Sequence, residues 1–569
     1  MQLVAYGAQD VYLTGNPQIT FFKVAYRRHT NFAMQTMNVV ASGSSGFDKI
    51  MNFTIPRNGD LIMNTYLRAQ IRDIDGDDKT NDTVNKFAWC KRLGHALIDY
   101  ATLTIGGSQI DKQYGMWLDM WYELTHKKSQ EKGYKQMIGE VPEMTKFSTV
   151  AEGKRGYTLF VPLQFWFCRN PGLALPLIAL QYHEVKIELK IARKEHLIVC
   201  SRDFKTTDTY KQIELGDVSL LVNYVFLDSE ERRKFAQVGH EYLIEQLQFT
   251  GSTPVPQTLI TTKDTEIHHA VQLNFNHPSK ELVWAVRNGN TRGGRFLAYT
   301  ADEDWSAALD DAADNLMAGV FKVFPDTIDD ERYVDVSDET ELKKFHDMDI
   351  TVKSPEGETC KVGILKHFAM IGPFTLSKKI KSVSVEVLVE TDATTQEKTY
   401  ECIADVYSHE LTVRDISIPI DKWTFDGRDK EQTNDIIVQI PFNYGMLIDG
   451  SINPVHKAFI QFNGQDRFDE REGLYFNSVQ PFQHHTTTPA DGINVYSFAI
   501  NPENHQPSGT ANLSRIDTTF LQLKYKDGSQ KTGEASMGYF NSESQLFVFD
   551  FNYNVLRIMS GMGGLAYSN

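Results

Sequence analysis

Apolar and polar residues alternate in short runs along most of the chain, and the runs close on Gly, Pro, Asn or Asp. A period of two places one side of an extended segment in a core and the other in solvent, so the pattern predicts antiparallel strands packed face to face. Leu103-Thr104-Ile105 before Gly106-Gly107, Val185 to Leu189, and Val218 to Phe226 are examples. Helical spacing is rare. It occurs from Met116 to His126, where Trp117, Met120, Trp121 and Leu124 share a stripe. A second helix is expected after Leu227: Asp228-Ser229-Glu230-Glu231 offers a cap and an acidic first turn, and Arg232, Arg233 and Lys234 follow. This helix is the expected boundary between two halves.

The halves resemble each other. Ala101 to Asp111 and Ala458 to Asp469 are each an alternating strand closed by a Gly turn and an acidic residue. Tyr157 to Leu189 carries a strand, a Pro171-Gly172 loop and a second strand; Val495 to Leu523 repeats that order around Gln506 to Gly509. Leu220 to Phe226 resembles Gln545 to Phe551, each the last long strand of its half. Three matches in one sequence order predict two copies of one strand-rich fold. From Asn288 to about Gln439 lies a stretch with no counterpart. It is acidic at Asp302 to Asp304, Asp310-Asp311, Asp329 to Glu331 and Asp335 to Glu339, and strand-like from Val383 to Val389. An ordered surface protrusion is expected there, because lengthening a surface loop costs little closure entropy.

At 569 residues the chain exceeds what one hydrophobic core usually serves, so two cores are expected. The 34 Phe and 24 Tyr suit strands. A net charge of -16 repels phosphate, and no basic stripe interleaved with aromatics offsets it, so direct nucleic-acid binding is not expected. The short cluster Tyr26-Arg27-Arg28-His29 suits a local contact. No signal-peptide pattern and no membrane-spanning apolar run is seen. The five cysteines are scattered and read as free thiols.

Each candidate for catalysis fails a test. His183-Glu184 and His240-Glu241 begin like a zinc-protease motif but lack the second His four residues after the first. His268-His269 and His484-His485 are adjacent pairs, and neighbours on a strand point to opposite faces. No nucleophile elbow occurs, and Gly561 to Gly564 reads as part of a flexible tail rather than a phosphate cradle. Neither cofactor nor metal is expected. Asn52, Asn81 and Asn512 open glycosylation sequons that matter only if the chain meets a glycosyltransferase.

Longer stretches carry a resemblance. They include Leu3 to Asp10, Tyr12 to Lys23, Tyr26 to Ala33, Pro171 to Leu180, Phe226 to Arg232, His240 to Gln246 and Phe275 to Pro278. In the second half they include Asp466 to Gly473, Tyr475-Phe476, His484 to Thr486, Tyr496 to Phe498, Gln506 to Gly509, Ser514 to Asp517 and Asn552 to Ser560. Together they resemble the major capsid proteins of nucleocytoplasmic large DNA viruses over nearly the whole chain apart from the acidic insertion.

The resemblance implies an all-β fold of two consecutive eight-stranded antiparallel jelly rolls, with few short helices and a long insertion in the second. The expected divisions are an N-terminal arm at 1–24, a first jelly roll at 25–228, and a linker helix at 229–241. A second jelly roll follows at 242–560 with the insertion at about 289–439, and a tail at 561–569. The implied role is a non-enzymatic shell subunit, made in the host cytoplasm, that homotrimerises into pseudo-hexagonal capsomers. Minor capsid and penton proteins are its expected partners, with an inner membrane nearby but not spanned. Ile19, Phe21, Phe22, Arg27 and Arg28 are candidate assembly-arm residues. Trp117, Trp121, Tyr122, Phe165 and Trp166 are candidate trimer contacts, or else jelly-roll core. A carbohydrate-binding module and a jelly-roll enzyme are the competing classes.

Overall fold

The computed structural model describes residues 7–76, 86–145, 148–200, 207–256, 266–287, 349–353, 359–364, 400–404, 416–423, 437–438, 444–445, 453–526 and 544–567. The first half forms strands β1 (Phe32–Val40), β2 (Ile50–Thr54), β3 (Leu61–Ile71), β4 (Ile98–Ile105), β5 (Ser108–Tyr114), β6 (Tyr157–Pro162), β7 (Val185–Ile191) and β8 (Leu215–Leu227). They make two sheets, ordered β1-β8-β3-β6 and β2-β7-β4-β5. Helix α1 (Gly115–Thr125) follows β5, and α2 (Ser229–Gln237) joins the halves.

The second half contains β9 (His240–Gln248), β10 (Glu266–Gln272), β11 (Pro278–Arg287), β12 (Val455–Phe462), β13 (Gln465–Asp466), β14 (Ile493–Ser497), β15 (Thr519–Lys526) and β16 (Gln545–Met559). Their order, β9-β16-β11-β14 and β10-β15-β12-β13, is that of the first half shifted by one set of eight strands. Each half is therefore a jelly roll, and the fold is the expected double jelly roll.

The repeat extends to the turns. Gly106 and Gly107 join β4 to β5 with φ of 59° and 85°, and Asn463 and Gly464 join β12 to β13 with φ of 52° and 77°. Two positive φ values in a two-residue loop match the right-handed twist of the flanking strands. A Cβ on Gly106 would lie 2.3 Å from the His183 ring.

Alternation along each strand builds the cores. In β7, Val185, Ile187, Leu189 and Ile191 point inward and join Met51, Phe53, Leu67, Leu103 and Leu220. In the second half Leu282, Trp284, Ile460, Leu521, Tyr525 and Val548 do the same. At α2 the Asp228 carboxylate accepts from the N–H groups of Glu230 and Glu231 at 3.1 and 2.9 Å, the expected cap. Buried Asp60 anchors this helix through Arg232 at 3.0 Å and accepts from the Leu227 N–H at 2.9 Å.

Two details differ from expectation. The linker helix stops at Gln237, and His240 and Glu241 already pair in β9 against Ile558 and Arg557. The tail is not free over its first residues: Met562–Leu565 forms β17 and pairs back onto β16 through a tight turn at Ser560 and Gly561, both with positive φ. In the insertion, which leaves β11 and returns at β12, 349–353 pairs with 359–364, and 416–423 pairs with both 400–404 and 437–438. The strand expected at Val383 to Val389 lies outside the described residues.

Candidate functional site

The most extensive apolar arrangement outside the two cores is the seam between the jelly rolls. Helix α1 lies over the outward face of the β9-β16-β11-β14 sheet, burying Met116, Trp117, Met120, Trp121 and Leu124 against Leu247, Val283, Ala285, Ile493, Val495, Phe549 and Phe551. Ring centroids of Trp117 and Phe549 are 5.6 Å apart, and those of Trp121 and Phe551 5.2 Å. The helix has an apolar stripe wide enough to serve this face because its Trp and Met residues recur every three to four positions.

Polar groups fix the register. Buried Asp111 accepts from the Leu247 N–H and the Gln113 amide, both at 3.1 Å, and Gln246 donates to the Ile110 carbonyl. Burial pushes the Asp111 carboxyl up to about 6 despite these donors. Arg169 reaches Glu245 at 3.1 Å, and its guanidinium lies 5.3 Å from the Trp121 ring and 4.7 Å from that of Phe551. Buried Lys280 pairs with the same Glu245. Burial alone would raise the Glu245 carboxyl, but Arg169 and Lys280 hold it below its ordinary value.

A second polar cluster sits beside α1. Arg92 pairs with Asp119 at 3.0 Å and with Glu123, while Tyr444 of the second half donates to Asp119 at 3.0 Å. Burial opposes ionisation of Asp119, yet Arg92 and His95 bring its carboxyl down to about 2. The Ala490 N–H donates to Glu123 at 3.1 Å and the Thr487 N–H to the Leu124 carbonyl at 3.0 Å. Every donor and acceptor named here ties one jelly roll to the other or braces a residue that does.

This placement corrects the trimer-contact candidates. Trp117 and Trp121 are 2% and 7% exposed and belong to the seam within one protomer. Tyr122 stacks on Tyr134 at 4.4 Å, and Phe165 and Trp166 lie in the core of the first jelly roll. None has a free face for another subunit. The sequence offered these aromatics as trimer contacts or as jelly-roll core, and could not show that Trp117 and Trp121 meet the other jelly roll of the same chain.

The arm residues are placed differently. Residues 11–36 are exposed throughout, with Ile19 at 71%, Phe21 at 88% and Phe22 at 98%, and Arg27 and Arg28 are exposed beside them. Exposed apolar surface at this density is uncommon in a folded chain. Asn52 is exposed on β2; Asn512 is exposed, with its side-chain oxygen accepting from the Ser514 N–H at 3.1 Å. Asn81 lies outside the described residues.

His268 is exposed and His269 buried, 3.2 Å from the Tyr525 hydroxyl. His485 lies between Glu281 at 2.8 Å and Glu503 at 3.1 Å. Burial would lower its pKa, but the two carboxylates push it up to about 9, so the ring holds a proton at neutral pH. Sequence inspection missed this triad, because residues 281, 485 and 503 are joined only by the fold. Among the described residues no group of His, Cys, Asp and Glu is arranged to hold a metal, and no helix is long and apolar enough to cross a membrane.

Comparison with known proteins accounts for this architecture. Residues 231–564 match the family described as large eukaryotic DNA virus major capsid protein, and residues 20–228 match the major capsid protein N-terminus. Capsid protein 1 of Acanthamoeba polyphaga mimivirus is 42% identical over all of this chain and 99% of its own. The major capsid protein of Phaeocystis pouchetii virus is 40% identical with the same coverage. The crystal structure of PBCV-1 VP54, fitted into a reconstruction of the virophage Sputnik, superposes with a TM-score of 0.61 at 28% identity over 97% of this chain and all of that one. The Faustovirus major capsid protein shares the fold at 12% identity and a TM-score of 0.53. A repeated jelly roll locked by a buried seam, matched along its length by these relatives, makes this chain a member of the major capsid protein family of large eukaryotic DNA viruses, with a structural role in the virion shell.

Proposed function

We propose that the chain works as a homotrimer whose three copies form a pseudo-hexagonal capsomer, and that these capsomers tile an icosahedral shell. The observation that carries this is the identical strand order of two jelly rolls fixed side by side. One protomer then offers two similar footprints, and a ring of three offers six, which suits hexagonal tiling. The role needs no catalysis, and the buried charge clusters serve to fix the angle between the jelly rolls.

The arm supplies the link downward. Its exposed Ile19, Phe21 and Phe22, with Arg27 and Arg28, dock beneath a neighbouring capsomer or on a minor capsid or penton protein, on the side nearer an inner membrane. Such a segment has too little core of its own to order alone. Synthesis in the host cytoplasm fits the free thiols at Cys90 and Cys168.

The test is solution mass by light scattering at low micromolar concentration. A stable species near three times 64.8 kDa is expected. A monomer that persists as concentration rises would overturn the trimer.

A further inference from the structure

Charge is unevenly distributed along the chain. From Val11 to Phe47 there is no Asp or Glu, in a protein that carries 74 of them and a net charge of -16, and Lys23, Arg27 and Arg28 fall in that stretch. Every residue from Val11 to Thr36 is exposed, so these cations and the rings around them stand together on the surface.

The apolar residues of the arm share that surface. Phe21 and Phe22 occupy a turn in which the Phe22 N–H donates to the Thr20 hydroxyl at 3.4 Å. Tyr12, Leu13, Ile19, Val24 and Tyr26 flank it, with Tyr12 at 92% and Tyr26 at 88% exposure. Counted from Ile19, the apolar positions fall on both sides of a strand and on opposite sides of a helix, so neither form gathers them on one face. A groove in a folded protein reads side chains from one face. A fluid surface accepts them in any orientation.

Topology separates the arm from the acidic insertion. Phe32, where the arm enters β1, pairs with Leu227 at the end of β8, and α2 carries the chain from there to His240 at the start of β9. His240 pairs with Ile558 near one end of β16, whereas Arg287, where the insertion leaves β11, pairs with Gln545 at the other. That span of β16 is about 43 Å at the usual rise of a strand. At physiological salt the interaction of exposed charges fades over about 8 Å, so the insertion's stem does not repel a negative partner from the arm.

We propose that the arm binds the surface of an anionic lipid bilayer, with Phe21 and Phe22 at the level of the headgroups and Lys23, Arg27 and Arg28 against the lipid phosphates. Aromatic rings favour that level, and each nearby cation adds to the attraction. The arm lies on the bilayer and does not cross it, because its apolar runs are far shorter than the roughly 20 residues of a span. The contact acts on the free protein, before a neighbour or a minor protein is in place, and so goes beyond the docking proposed above: it gathers subunits on a membrane surface.

The test is flotation of the purified full-length chain with two kinds of vesicle. One is phosphatidylcholine alone; the other contains roughly a quarter phosphatidylserine, an anionic surface of the kind that attracts basic segments. The wild type is expected to float with the anionic vesicles at low salt, to be released at high salt and to ignore the neutral ones. Arg27→Gln with Arg28→Gln should weaken the association about thirtyfold, roughly fivefold for each charge. Phe21→Ser with Phe22→Ser should weaken it by at least about tenfold. Lys211→Gln, at an exposed lysine outside the arm, should change nothing. A wild type that ignores anionic vesicles, or arm variants that float as the wild type does, would overturn the lipid contact and leave docking on protein standing. Equal flotation with neutral vesicles that salt does not reverse would overturn it too, by showing that the exposed apolar surface adheres without regard to charge.

Discussion

The Asp111 carboxylate accepts the Leu247 N–H at 3.1 Å, a buried hydrogen bond between a strand of one jelly roll and the first strand of the other. Four residues further on, α1 begins to fill the same boundary with aromatic side chains. The two jelly rolls are therefore expected to unfold as one cooperative unit even though each has its own core.

Trp121 is the sharpest probe of that coupling, because it packs on Phe551 across the seam and beneath Arg169 of its own half. Trp121→Ala should lower stability by about 3–5 kcal/mol, the usual cost of emptying a large aromatic site. Urea unfolding followed by circular dichroism should show an earlier midpoint and a transition that broadens or splits. An unchanged single transition would mean that the seam does not couple the halves.

Arg169 and Lys280 share Glu245, so removing one cation leaves a buried carboxylate half compensated. Arg169→Met should cost about 2–3 kcal/mol, the range for a charged hydrogen bond. Glu245→Gln should cost more, because it strands the buried Lys280 ammonium without its carboxylate. If unfolding curves show Arg169→Met to be as destabilising as Glu245→Gln, the Arg169 loss comes from packing over Trp121 and Phe551 instead.

Asp550 lies inside the second jelly roll, where it accepts from Ser279 and, at 3.0 Å, from the Asn552 amide. Burial pushes its carboxyl up to about 7 from an ordinary 3.8. A carboxyl raised in the folded state favours folding while both states hold the proton, below about pH 4, and that contribution is lost as pH rises towards 7. Asp550→Asn imitates the protonated acid and removes the titration. Its stability should match the wild type near pH 4 and exceed it at pH 8 by on the order of 3 kcal/mol. Melting temperatures that keep a constant offset between the two proteins from pH 4 to 8 would show that Asp550 does not titrate in this range.

Deletion of residues 2 to 24 removes exposed Ile19, Phe21 and Phe22 and touches no core residue. The shortened chain should fold, keep the solution mass of the full chain, and fail to build complete shells. Normal particles in electron micrographs of an assembly reaction would exclude a role for the arm in shell closure.

Much of the fold was legible along the chain because a jelly roll writes itself locally. Alternation named the strands, Gly106-Gly107 and Asn463-Gly464 named two equivalent hairpins, and Asp228 named the start of α2. These signals depend on backbone dihedrals and on which side of a strand meets water, both set within a few residues. The same holds for the exposed arm, whose apolar residues have no periodic partner nearby. The tail at Met562–Leu565 escaped detection because its glycines look flexible until β16 supplies hydrogen-bond partners.

What the sequence could not decide was which apolar surface meets which. Trp117 and Phe482 are both aromatics in the segment before the sixth strand of a jelly roll; one is 2% exposed and the other 83%. Local pattern scores them alike, since both sit on short amphipathic helices. The difference arises because the chain joins the first jelly roll to one side of the second only, so one such segment finds its sheet within the protomer and the other does not. The same long-range joining brings His485 to Glu281 and Glu503, and Arg169 to Glu245. The sequence by itself determined the two jelly rolls, their order and the free arm, because these follow from period, turn chemistry and repetition. The seam and its buried charges were decided by tertiary structure, because burial is a property of the packed chain and not of the residue.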